Sequence, residues 1–332
     1  MEGDHLSVPN TDIKEALKEW SVGPVLEVAR DPHGTINQTW LITAETGRYA
    51  LQLSAQKDAS RLQRLCDLLA FASDAGIPAI RSLKTIDGKF FVQRDDGFWM
   101  LYPFAPGFQT DRDVMTPEQD RGMGRCLAKL VEALSDCPEH LGRRRSPGVN
   151  VEKSLEEIER FERLIRDYPN PAEYETYALD RLDGRRKWIL DHADENTSGI
   201  DDLPHQVIHG DYQEKNVFFN EAGDVVALID WDNAWMGPRE WEIFRTLNFV
   251  MSFDPVRGKT FVDGYLEFGD LDFEALDRAA WAYGVSRTHS LFIFEEIYDR
   301  KSDRIRRFLN PGPFQPVYDR WVPLKNALDE LR

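Results

Sequence analysis

One segment constrains this chain more than any other: Val207-Ile208-His209-Gly210-Asp211-Tyr212-Gln213-Glu214-Lys215-Asn216-Val217-Phe218-Phe219. Two apolar, β-prone pieces flank a polar loop that holds an Asp and, five positions on, an Asn. A second apolar run, Val225 to Ile229, ends on Asp230-Trp231-Asp232, and Asn220-Glu221-Ala222-Gly223-Asp224 between the two has the composition of a turn. The strands ending at Phe219 and Ile229 are therefore predicted to pair antiparallel. That pairing brings Asp211, Asn216 and Asp230 to one end of a hairpin.

Taken singly, His209-Gly210-Asp211 could be a turn, and Asp230-Trp231-Asp232 a strand end with solvated acids. Their order within one hairpin points to chemistry. Phosphoryl transfer needs a carboxylate to orient the acceptor hydroxyl and take its proton, and hard oxygen ligands to hold Mg²⁺ against the nucleotide phosphates. Because Mg²⁺ keeps several waters and takes only one or two carboxylates from a protein, an Asp plus an Asn carbonyl is a sufficient share. The spacing D-x-x-x-x-N, followed by an Asp at a strand end, is that of kinase catalytic loops.

The rest of the chain divides into two differently built parts. From about Val25 to Phe104 short β-prone runs alternate with turns: Asn37 to Ile42 and Arg48 to Leu53, then Ala79 to Ile86, Lys89 to Gln93 and Phe98 to Tyr102. One helix is predicted among them, Ala59 to Ala75, stopped by Gly76-Ile77-Pro78. After Pro103-Phe104-Ala105-Pro106-Gly107 the pattern turns helical. Thr116-Pro117-Glu118-Gln119 combines an N-cap, a Pro at N1 and a Gln at N3 ahead of a helix to about Leu134. Further helices are predicted over Val151 to Asp167, Ala172 to Asp194, Pro255 to Phe268 and Phe273 to Tyr298. The expectation is an α+β chain with an antiparallel-sheet part that carries one helix, residues 1–103, and a larger, mainly helical part, residues 104–332.

Charge and composition exclude other classes. With 58 acidic against 41 basic residues the net charge is −17, which repels a phosphate backbone, so nucleic acid is not an expected partner. No apolar stretch approaches the ~18 residues of a membrane span, and the N-terminal twenty residues lack the basic and apolar regions of a signal peptide. Cys66, Cys126 and Cys137 form no CxxC pair and are read as reduced, packed thiols. A cytoplasmic protein without a membrane partner is expected. Arg143-Arg144-Arg145 is a basic cluster in an acidic chain, either a solvated loop or a contact for a phosphate or an acidic ligand.

HGDYQEKN followed by IDWD, and then Trp235-Met236-Gly237-Pro238-Arg239-Glu240-Trp241-Glu242, resembles the aminoglycoside phosphotransferase and choline kinase family, whose members share a protein-kinase-like, two-lobed fold. The likeness runs in motif order from about Val25 to Phe249. It implies an enzyme that uses ATP and Mg²⁺ to phosphorylate a hydroxyl of a small molecule: a sugar, amino sugar, aminoglycoside or amino alcohol. Asp211 would be the catalytic base, His209 a structural member of the catalytic loop, and Asn216 and Asp230 the metal ligands. An acid at the start of the next helix would brace the loop; Glu242 is the candidate and Glu240 its competitor, where the family usually has Asp.

By the same resemblance, the turn His33-Gly34-Thr35-Ile36-Asn37 would cover the phosphates, with Gly34, Thr35 and Asn37 near the nucleotide. Gln52 stands on the strand where kinases carry the Lys or Arg that pairs with the α- and β-phosphates, and the helix Ala59 to Ala75 contains no Glu, so the usual ion pair is missing on both sides. This stretch is also similar to N-acetylhexosamine 1-kinases. Met100 to Gly107 looks like the family's adenine hinge, with the Pro103 C=O accepting and the Ala105 N–H donating. Two other readings stay open: a protein serine/threonine kinase, opposed by the short span of about ten residues from Asp230 to the next helix, and a nucleotide-binding pseudokinase scaffold, encouraged by Gln52.

Overall fold

Strand periodicity accounts for the N-terminal lobe of the computed structural model, which describes residues 10–31, 37–168, 173–306, 309 and 312–328. After helix α1 (Asn10–Leu17), strands β1 (Val25–Arg30), β2 (Gln38–Ala44) and β3 (Gly47–Ser54) form a meander. Helix α2 (Ala59–Asp74) is followed by β4 (Val92–Arg94) and β5 (Gly97–Pro103), and the antiparallel sheet has the order β1-β2-β3-β5-β4. Alternate residues point to opposite faces. Trp40, Ile42, Leu51, Leu53, Trp99 and Leu101 bury one face against Ile13, Leu17 and Trp20. On the other face Phe98 and Met100 pack against Leu62 and Cys66 of α2.

The strand expected over Ala79 to Ile86 does not form. Its amides go to three different elements: Ile80 N–H to the Leu228 C=O, Leu83 N–H to Leu101 and Ile86 N–H to Glu19. A segment satisfied piecemeal by both lobes cannot also run a ladder with one neighbour. The run expected over Lys89 to Gln93 is found as Val92–Arg94, paired with Gly97 to Trp99 of β5.

The C-terminal lobe begins with α3 (Pro117–Ser135), whose predicted capping box is present: Gln119 N–H donates to Thr116 Oγ1 and Thr116 N–H to Gln119 Oε1. Then come β6 (Arg143–Arg144), α4 (Val151–Arg166), α5 (Glu173–Asp191), β7 (His205–Ile208), β8 (Val217–Phe219), β9 (Val225–Leu228) and β10 (Trp235–Pro238). Helices α6 (Arg239–Phe249), α7 (Pro255–Leu266) and α8 (Phe273–His289) follow. The β8–β9 hairpin pairs as expected, with Val217 opposite Leu228. A second sheet, β6-β10-β7, is not evident in the sequence because β6 and β10 are too short to carry a period.

Phe273 to Tyr298 is not one helix. It stops at His289, and Phe292–Phe294 and a π turn at Glu295–Asp299 follow. The guanidinium of Arg185, on α5, donates to the carbonyls of Arg287, Thr288 and Ser290, giving the last turn of α8 partners outside the helix. Periodicity alone does not reveal such a cap. Among the described residues no helix is long and apolar enough to cross a membrane, and the three cysteines are buried and free.

Helix α3 fixes the hairpin relative to the rest of the lobe through glycines. A Cβ on Gly122 would lie 1.9 Å from the Gly223 carbonyl oxygen at the β8–β9 turn. On the crossing with α7, a Cβ on Gly124 would lie 2.0 Å from the Phe261 carbonyl oxygen, and one on Gly264 would lie 2.2 Å from that of Arg121. The two backbones touch, so a methyl group has nowhere to go. Gly124→Ala gains about 1 kcal/mol of helix propensity but forces the helices apart, for a net loss of about 1–3 kcal/mol. Urea unfolding of this variant is expected to show a lower midpoint at unchanged slope; an unchanged or higher midpoint contradicts the packing.

Candidate active site

Strand β7 delivers His209-Gly210-Asp211 into the cleft, and buried polar contacts set the loop's shape. Gly210 has φ +77°, and a Cβ there would meet the Asn233 carbonyl oxygen at 2.3 Å. Only glycine fits. His209 is fully buried, with Nε2 3.0 Å from the Ile229 carbonyl and Nδ1 3.2 Å from the Asp211 amide. Nε2 therefore carries the proton and Nδ1 accepts. Burial pushes this imidazole down to about 3, so it is a neutral strut and not an acid or base at pH 7.

Glu242, in the first turn of α6, accepts the His209 and Gly210 amides, one at each carboxylate oxygen and both at 2.7 Å. Burial pushes its carboxyl up to about 7, against the pull of Arg245 and of the His209, Gly210 and Tyr212 amides toward the charged form. Its competitor Glu240 is also buried but is paired with Arg239 at 3.0 Å.

Asp211 is held from both sides. One carboxylate oxygen is ion-paired with the Arg245 guanidinium; the other accepts from Gln213 Nε2 at 2.9 Å and Asn216 Nδ2 at 3.1 Å. Asn216 Nδ2 also donates to the Asp211 carbonyl at 2.8 Å, so the amide oxygen is turned away from Asp211. The Ile229 amide donates to the Asn216 carbonyl at 2.9 Å, which sets Asp230 beside it. Asp230 itself adopts φ 61°, ψ 64°, left-handed backbone that is strained for a non-glycine residue.

Asp230, Asp232 and Asp211 converge at this hairpin end. Burial, then Asp232, then Asp211 push the Asp230 carboxyl up to about 6. Burial also raises Asp232, with Asn37 and Arg143 pulling the other way. Among the described residues no group of three His, Cys, Asp or Glu side chains forms a metal cluster. A mixed, all-oxygen donor set, the Asn216 side-chain amide oxygen and the Asp230 carboxylate, would instead serve in a neighbourhood where crowded anions favour a bound cation. That chemistry fits Mg²⁺.

The N-terminal side is less complete. Gly34 and Thr35 lie outside the described residues. Asn37 spans the cleft, accepting the Ala55 amide at 2.8 Å and donating to Asp232 at 3.3 Å. Gln52 pairs with Thr39 and Met100 and so lies on the α2 face of the sheet, opposite to Leu51 and Leu53. At the hinge, the Phe104 amide donates to the Arg48 carbonyl, so the neighbouring Tyr49–Pro103 pair is a non-hydrogen-bonded one and the Pro103 C=O points away from β3. Strand β4 pairs with β5 only at Gly97 to Trp99 and does not reach it.

Sequence reading missed Arg245, Gln213 and the ion pair between Arg112 and the buried Glu214. Arg245 had a signal, since it follows Glu242 by three residues and shares its helix face. Arg112 had none, being 102 residues from its partner.

Residues 27–281 match the family described as APH, the phosphotransferase enzyme family. The homoserine kinase of Methylobacillus flagellatus is 24% identical over 317 residues, covering 92% of this chain and 91% of that protein. In fold, the chain is similar to the spectinomycin phosphotransferase APH(9)-Ia in its complex with ADP and spectinomycin, with a TM-score of 0.70 at 17% identity over 96% of this chain and 98% of that one. It is also similar to the choline kinase LicA of Streptococcus pneumoniae, with a TM-score of 0.53 at 18% identity over 97% and 99%. With a protein-kinase-like fold and a match over most of its length, the chain belongs to the APH phosphotransferase enzyme family, small-molecule kinases that act on hydroxyl acceptors.

Proposed function

We propose that this protein is a cytoplasmic kinase that uses ATP and Mg²⁺ to phosphorylate a hydroxyl of a small molecule, with Asp211 as the catalytic base. The observation that carries the reading is the Asp211 carboxylate, oriented by Arg245, Gln213 and Asn216 at the same hairpin end as Asp230. Adenine would sit at the hinge, accepted by the Pro103 carbonyl and receiving the Ala105 amide. Asn216 and Asp230 would hold the metal, which when bound offsets the charge of the nucleotide phosphates.

The transition state of phosphoryl transfer is loose, so the protein's work is positioning. Asp211 aligns the acceptor hydroxyl and receives its proton as the new P–O bond forms and the bond from the γ-phosphorus to the bridging oxygen of the departing ADP breaks. The three donors on its carboxylate hold it in one orientation, which supplies the pre-organisation such a step needs. Neutral His209 carries no proton through the reaction; it ties the loop to Ile229. Gln52 is suited to a hydrogen bond with a phosphate oxygen but cannot offset its charge, which leaves that task to the metal and to other bases.

Asp211→Asn keeps the size of the side chain and an oxygen for Gln213 and Asn216, while it removes the proton acceptor and the ion pair with Arg245. Its kcat is expected to fall about 10²–10⁴-fold with little change in nucleotide Kd. Turnover close to wild type in a folded variant refutes the assignment.

Asp230 and Asp232 separate in a second test. Asp230→Ala is expected to abolish Mg²⁺-dependent nucleotide binding or turnover, while Asp232→Ala is milder. Isothermal titration with ATP, with and without Mg²⁺, reads the difference. Greater damage in Asp232→Ala gives the metal to the other carboxylate.

A further inference from the structure

The basic cluster of the sequence lies beside the reaction centre. In the small sheet, Trp235 of β10 is flanked by Arg143 of β6 on one side and by Ile208 of β7 on the other. Two strand spacings put the Arg143 backbone roughly 10 Å from that of Ile208, three residues ahead of Asp211, within reach of an arginine side chain. The charge of Arg143 acts on Asp232. Arg145 lies over the Trp235 ring, 5.8 Å from its centroid, and the same indole abuts Gly210. Arg287, in the last turn of α8, is close enough to Arg145 for the two cations to repel.

A small cleft opens at one member of this cluster, Arg143. Arg61 and Arg64 of α2 line it from the N-terminal lobe, Arg143 from the C-terminal lobe, and Asp232 is the one acid among its lining residues. Three cations against one anion is the reverse of the balance of the whole chain, whose net charge is −17. None of Arg64, Arg143, Arg145 and Arg287 makes an ion pair with a carboxylate among the described residues, although most other arginines of the lobe do. Arg61 has Asp58 at 3.7 Å and Arg143 has Asp232 nearby, but Arg64, Arg145 and Arg287 have no carboxylate of their own among the described residues, and an excess of like charge beside a reaction centre costs free energy in the unliganded protein. An anionic ligand removes that cost.

We propose that the acceptor carries a carboxylate or comparable oxyanion, received by Arg143 with Arg145 and Arg287 beside it and Arg64 across the cleft. This deepens the kinase reading above and rests on it. The guanidinium fork suits a planar carboxylate, and its contact holds the acceptor hydroxyl at a fixed distance from Asp211. A polycationic amino sugar is repelled from the same mouth. Small hydroxy acids and hydroxy amino acids are therefore the acceptor class.

Matched acceptor pairs that differ in the carboxylate test this: L-homoserine against 3-aminopropan-1-ol, L-serine against ethanolamine, and D-glycerate against glycerol, with kanamycin and spectinomycin as cations. ADP release by the full chain with ATP and Mg²⁺ is expected to favour the carboxylate member of at least one pair by about 10²-fold in kcat/KM. In Arg143→Gln the KM for that acceptor is expected to rise about 10–100-fold while the KM for ATP stays within about twofold, and Arg143→Lys should recover part of the loss. Preference for the neutral or cationic members, no preference in any pair, or an Arg143→Gln effect confined to the KM for ATP overturns the proposal, the last by giving the arginines to the nucleotide. Titration with ATP separates the two levels. Binding of ATP together with turnover of amines or neutral polyols sinks the anionic acceptor and leaves the kinase standing, whereas absence of ATP binding sinks both.

Discussion

The shape of the Asp211 loop, the proposed reaction centre, depends on two hydrogen bonds, from the His209 and Gly210 amides to the carboxylate of Glu242. Both donors sit where the chain leaves β7 and would otherwise be buried without partners, which costs about 1–3 kcal/mol for each such group. Burying the carboxylate carries its own penalty, offset by charge-assisted bonds to backbone amides and by the nearby Arg245. Helix α6 thus serves two ends of one loop. Its first turn presents Glu242 to the backbone before Asp211, and one turn later Arg245 meets the Asp211 side chain. Thr246 Oγ1 adds a bond to the Tyr212 carbonyl just beyond. The loop has little freedom left, as a positioning mechanism requires.

The remaining architecture brings the second half of the site to the first. Asn216 bonds back to Asp211 through its side chain and forward to Ile229 through its backbone carbonyl, so the loop and the start of the turn that carries Asp230 share one residue. Behind the hairpin, α3 meets the Gly223 turn and α7 with backbone-to-backbone contacts that only glycine permits. Just past the hinge Phe108 and Phe219 exchange two hydrogen bonds that tie the chain to the hairpin, and the lobes meet where the Ile80 amide donates to the Leu228 carbonyl and across the cleft at Asn37 and Asp232. The Asn37 contact links the start of the N-terminal sheet to the crowded carboxylates.

Much of this was legible in the sequence, for identifiable reasons. The hairpin and its Asp, Asn and Asp were readable because apolar strands and polar loop are contiguous in the chain. The capping box at Thr116 and the stop of α2 near Gly76 rest on local rules that tertiary contacts did not override. What escaped was non-local. Arg185 ends α8 from a different helix, Arg112 neutralises Glu214 from across the lobe, and the segment after Pro78 gives its amides to three partners. The arginine cluster at 143–145 was visible as composition, but its place beside Trp235 and Gly210 follows from a two-residue strand that carries no periodic signal.

If Glu242 is what holds Asp211 in a working position, then weakening its grip should slow the reaction without disturbing the nucleotide. Glu242→Gln tests this directly: the side chain keeps its size, but an NH₂ group replaces one of the two oxygens that accept backbone amides, leaving a buried donor unmatched. That is worth about 1–3 kcal/mol, or roughly 10–100-fold in rate if it is expressed in the placement of Asp211. Measured alongside circular dichroism and ATP titration, kcat is predicted to fall at least about tenfold in a folded variant with near-normal ATP affinity. A folded Glu242→Gln protein with undiminished kcat would contradict the account.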